Sequence, residues 1–133
     1  MFSWETNETR LGFALRRFRR TLARSRIMPL DFETFADSAR AGRAPPPAGL
    51  SRALLALWHE ARGDWDLAHR LAQEAAGAEG DWVHAYLHRK EGDEANAGYW
   101  YRRAGRPAAH GDLAAEWERI ARELLGEGTG GAT

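Results

Sequence analysis

Apolar residues recur at helical spacing along most of the chain, separated by short polar breaks. Leu54, Leu55 and Trp58 form one stripe; the chain then breaks at Gly63-Asp64, and Leu67, Ala68, Leu71, Ala72 and Ala75 form a second. Spacing near 3.6 residues predicts two helices, and the short break predicts that they fold back as an antiparallel hairpin. A second unit follows, with Val83, Tyr86 and Leu87 before Gly92-Asp93 and Ala97, Trp100, Tyr101 and Ala104 after it. A shift of 29 residues superimposes Ala56 on Ala85, His59 on His88, Ala68 on Ala97 and Ala75 on Ala104. Internal repetition at this period predicts a solenoid-like stack. In each break the glycine can end one helix in a left-handed conformation, and the aspartate can cap the next. Small alanines leave room for close helix approach, while Trp58, Trp65, Trp82 and Trp100 fill the spaces between.

Outside the repeat, Asp31 is the predicted N-cap of a short helix carrying Phe32, Phe35, Ala36 and Ala39 and ending near Gly42. Pro45, Pro46 and Pro47 cannot continue a helix and predict a stiff linker. After Pro107, Leu113, Trp117, Ile120, Ala121 and Leu124 predict a last helix from Asp112, closing the stack as a cap, with Gly126 ending it. The expected organisation is a basic arm over 1–27, a short helix and linker over 28–49, a helical domain over 50–126 and a flexible Gly-rich tail over 127–133. The expected fold class is all-α.

Composition is that of a folding chain, 44% hydrophobic and 29% charged. The absence of cysteine excludes disulfides, thiolate nucleophiles and cysteine-ligated metals. No apolar run approaches the roughly 20 residues that span a bilayer, and no secretory signal is evident, so the expected location is cytoplasmic. The net charge of zero conceals a segregation: residues 1–30 carry seven arginines against Glu5 and Glu8. Leu11, Leu15, Phe18 and Leu22 make that arm an amphipathic basic helix. It is open to three readings: packing on the acidic body, binding nucleic acid or an anionic membrane through residues 10–26, or an upstream extension ahead of a start at Met28.

GDWDLA at 63–68 resembles the helix-turn-helix centre of a tetratricopeptide repeat (TPR), and EGDEANAGYWYRRAGRP resembles Sel1-like repeats. WHEARGDWDLAH with DWVHAYLHRKEGD and YWYRRAGRP is also similar to a small family of uncharacterised microbial proteins. The resemblance covers residues 50–107 and implies a TPR-like stack of two hairpins plus a capping helix. It also implies a protein or peptide partner held in a concave groove lined by the first helices. Two units are fewer than the three that normally sustain such a groove, so it must be small, or completed by a neighbouring element or by a second copy in a homo-oligomer.

The densest candidate chemistry is His84-x-x-x-His88 with Glu91, which fall within about 60° of one helix face at 100° per residue. Two histidines one turn apart suit zinc or nickel, and a carboxylate beyond them suits a third ligand or a base. The HExxH arrangement of zinc proteases is absent, because residue 85 is alanine. His59 matches His88 in the repeat, which favours a packing role for that position, whereas His84 has Leu55 as its counterpart. Tyr99, Trp100 and Tyr101 are consecutive and cannot all face one core; with Arg103 they suit stacking and charge-assisted contacts to a partner. No nucleophile elbow, P-loop or GxGxxG occurs.

Two functional readings follow. The first is a non-enzymatic interaction module using His59, His84 and His88 with Glu91, Tyr99, Trp100 and Arg103, and requiring no cofactor. The second is a small metal- or ligand-binding protein or enzyme centred on His84, His88 and Glu91, in which His84 and His88 would be the metal ligands.

Overall fold

The computed structural model describes residues 30–127, and these form six helices and no strand. The basic arm lies outside the described residues, as does all of the tail after Glu127. The helices are α1 (Phe32–Arg40), α2 (Arg52–Ala61), α3 (Trp65–Glu74), α4 (Ala78–Lys90), α5 (Glu94–Ala104) and α6 (Leu113–Leu124). None is long and apolar enough to cross a membrane.

The two Gly-Asp breaks build the same turn twice. Gly63 and Gly92 take φ of 83° and 89°. Asp64 N–H then reaches the His59 carbonyl at 3.0 Å, and Asp93 N–H reaches that of His88 at 2.9 Å. A side chain at a left-handed position would be strained, so glycine is needed here. The aspartates go on to cap the following helices: Asp64 accepts from Leu67 N–H at 3.4 Å and Asp93 from Asn96 N–H at 3.2 Å. In this way α2 folds onto α3 and α4 onto α5, while α3 and α2 both pack against α4.

The outer helices depart from their expected places. α6 does not extend the row beyond α5 but lies across α2 and α4, with α1 beside it. Trp117 on α6 is the join: its indole donates to the Leu57 carbonyl at 3.1 Å, and its ring stacks on Phe35 of α1 at 5.5 Å. The short helix expected ahead of the helical domain is therefore part of its core, with Phe32, Phe35, Ala36 and Ala39 all buried. Arg62 fastens the start of the linker to this body, lying over Trp58 at 4.2 Å and donating to the carbonyls of Ala39, Gly42 and Ala44. Glu127, expected in a flexible tail, instead accepts from Phe32 N–H at 3.2 Å. A carboxylate there satisfies a free amide at the positive end of α1.

The junction of the two hairpins depends on one small residue. A Cβ on Gly80, in the first turn of α4, would lie 2.4 Å from the Ala75 carbonyl oxygen and 2.7 Å from its Cβ. Alanine is ordinarily the better helix former by about 1 kcal/mol, but here the clash dominates. Gly80→Ala is expected to destabilise the fold by about 1–3 kcal/mol, as overpacking does. Urea unfolding checks this; equal or greater stability in the variant would show that α3 moves aside at no cost.

Candidate metal centre

The i, i+4 spacing of His84 and His88 on α4 stacks their rings at 4.8 Å with 23° between planes. α3, packed alongside, adds a third imidazole: His69 Nε2 stands 3.0 Å from His84 Nε2. One ligand nitrogen from each of His69, His84 and His88 can be chosen so that all three lie within 4.8 Å of one another. His84 is buried, 3% exposed, whereas His69 and His88 are partly open to solvent.

Trp100 of α5 closes the inner side, its ring stacked on His84 at 4.0 Å. Behind it, Tyr99 meets Trp100 edge-on at 5.1 Å, and the Arg103 guanidinium lies 5.2 Å from the Trp100 ring. Arg103 is held there by the Tyr99 hydroxyl at 3.2 Å and the Asp81 carboxylate at 3.7 Å. These contacts raise the Arg103 pKa, the bond to Tyr99 most of all. Glu91 Oε1 stands 2.7 Å from His88 Nδ1. A carboxylate there accepts the Nδ1 hydrogen, which leaves Nε2 of His88 as the free lone pair.

Burial, reinforced by the neighbouring imidazoles of His69 and His88, lowers the pKa of His84 to about 4. The ring is therefore neutral at pH 7. In the 3.0 Å contact one Nε2 must donate and the other accept. A divalent ion between the same atoms would replace that hydrogen and take a lone pair from each. Metal–nitrogen bonds of about 2.0–2.1 Å set ligand nitrogens roughly 2.9 Å apart at a right angle and 3.4 Å apart in a tetrahedron. The His69–His84 separation already falls in this range. Bringing the widest pair in from at most 4.8 Å needs an adjustment of at most about 1.4 Å.

Of the residues singled out in the sequence, the structure brings together His84, His88, Glu91 and Trp100, with Tyr99 and Arg103 around Trp100. His59 stands apart from this group, its ring set edge-on against Trp58 at 5.0 Å. His69 is the member of this group that the sequence did not single out. The available signal was the repeat register, which pairs His69 with Gly98, so that neither His69 nor His84 has a histidine counterpart.

Comparison with protein-family models, with curated proteins and with solved structures gave no match to this chain.

Proposed function

We propose that this protein binds a divalent transition-metal ion, zinc or nickel by donor type, through His69, His84 and His88. The observation that carries this reading is the convergence of three imidazoles from two helices. Buried histidines that serve packing are satisfied one at a time by backbone or carboxylate; here the buried ring turns its nitrogen toward another imidazole. Imidazole nitrogens suit zinc, nickel and copper and are poor ligands for magnesium or calcium. Glu91 supports the site from outside it, orienting His88 as carboxylates commonly orient metal-bound histidines.

Partner binding is the second reading, and one observation favours it: Tyr99, at 45% exposed, is the exposed large hydrophobic side chain among the described residues, and Arg103 lies beside it. The groove implied by a TPR-like stack gives less support, because further helices pack against the first helices of both hairpins, α1 on α2 and α6 on α2 and α4.

The test is thermal unfolding of the metal-free chain with added Zn²⁺ or Ni²⁺. Saturation at about 100 times the dissociation constant adds roughly 2.7 kcal/mol, a shift of several degrees for a domain of this size. The shift should disappear in the His69→Ala, His88→Ala double variant. An unshifted wild type, or an equal shift in the double variant, overturns the proposal.

A further inference from the structure

We infer that this metal centre keeps a fourth coordination position for an exchangeable ligand from solvent, either water or a small anionic Lewis base such as hydroxide or azide. The inference rests on the three-histidine reading and concerns what completes the sphere. Zinc and its neighbours take at least four ligands; structural sites draw all of them from protein, and sites that do chemistry leave one open.

Three observations point to the open form. The nearest acid, Glu91, is committed to the wrong edge of the ring. Its oxygen lies 2.7 Å from His88 Nδ1, and Nδ1 and Nε2 point in diverging directions across an imidazole. A carboxylate held on Nδ1 cannot reach an ion held on Nε2. The next acids are committed elsewhere. Both oxygens of Asp93 accept from Asn96, at 3.2 Å from its backbone N–H and 2.7 Å from its side-chain amide, and Asp81 pairs with Arg103. The carboxylates that cluster with His88, those of Glu91 and Asp93, thus already have partners.

The second observation is charge. Three imidazoles bring no negative charge, so a divalent ion keeps its full +2, which favours an anion in the remaining place. The third is access. His84 is buried against Trp100, but His69 and His88 are partly exposed, so solvent reaches the group on their side. An ion of this kind acidifies the water it binds and supplies hydroxide near neutral pH, the reagent for hydration and hydrolysis.

The experiment loads the metal-free full chain with Co²⁺, whose visible ligand-field absorption reports coordination, and titrates it with azide in chloride-free buffer. The expected result is Co²⁺ uptake followed by a saturable change in the bands. Uptake with bands that azide leaves unchanged overturns the open position and leaves the three-histidine site standing. Failure to take up Co²⁺, Zn²⁺ or Ni²⁺ at all overturns the site itself. Glu91→Ala separates the roles of that residue. As an orienting partner its loss weakens metal binding about 10- to 100-fold and leaves the azide response in place. An azide response that appears only in Glu91→Ala would mean that Glu91 is the fourth ligand, and the inference fails.

Discussion

His84→Leu is expected to give a folded protein that binds the metal far more weakly. Leucine occupies the equivalent position, 55, in the first hairpin, so the replacement supplies the residue that the repeat itself places there. It also removes a polar ring from a buried position against Trp100 and His69. The exchange leaves His69 Nε2 without its partner, but His69 is partly open to solvent, so water can take the place of the lost ring and the cost is small. Spread over four ligands, structural zinc affinities of about 10–16 kcal/mol imply on the order of 10²–10³-fold weaker binding for one lost histidine. Isothermal titration with Zn²⁺ against wild type checks this, with circular dichroism confirming the fold. Undiminished affinity would show that His84 is not a ligand; a variant that cannot fold would make the ring a packing element first.

The same variant separates the effect of pH on the metal-free protein. A histidine lowered to about 4 in the fold and near 6.5 when unfolded is neutral in both states above pH 6.5 and contributes no pH dependence there. Between 6.5 and 4 the unfolded chain binds a proton that the folded chain does not, so stability falls as pH falls. The whole window is worth on the order of 3 kcal/mol. His84→Leu should remove most of this slope, and urea midpoints at pH 7 and pH 4.5 measure it.

The largest loss of stability is expected from Glu116→Ala. Glu116 is 1% exposed on α6 and joins two other elements: Arg89 of α4 at 2.7 Å and the buried Tyr101 hydroxyl of α5. Burial first, and then the Glu116 carboxylate, holds the Tyr101 phenol well above its usual pKa, so it stays a hydrogen donor. Truncating the acid leaves a largely buried guanidinium and a buried phenol without their acceptor, which costs about 3–5 kcal/mol when a buried pair is broken from one side. Glu116→Gln keeps an acceptor and loses the charge, and is expected to fall between the two. Chemical denaturation with an unchanged m-value checks this, and a loss below about 1 kcal/mol would mean that water replaces the carboxylate. Arg89 and His88 are adjacent on α4 but serve different partners. Glu116→Gln should therefore bind metal as wild type does, which distinguishes the scaffold from the site.

Much of the fold was legible because its signals are local. Asp31, Asp64, Asp93 and Asp112 cap the helices expected of them, since a cap needs only the residues two or three places on. What escaped were the relations between distant segments. Nothing local in Glu127 announces that its carboxylate meets the amide of Phe32, and nothing in Trp117 says that it seals α1 to α2 rather than ending a row after α5.

The candidate site divides along the same line. The sequence by itself determined the pair His84 and His88 with Glu91, because residues three and four apart on one helix must share a face, and it determined the two Gly-Asp turns that set the hairpins. Only the tertiary structure decided that His69, fifteen residues before His84, completes the group, that His59 stays out of it, and that α6 packs against α2 and α4 rather than beside α5. Helical periodicity fixes which side chains leave a helix together; which faces of separate helices meet is settled by packing, here by alanines that allow close approach and by tryptophans that fill what remains.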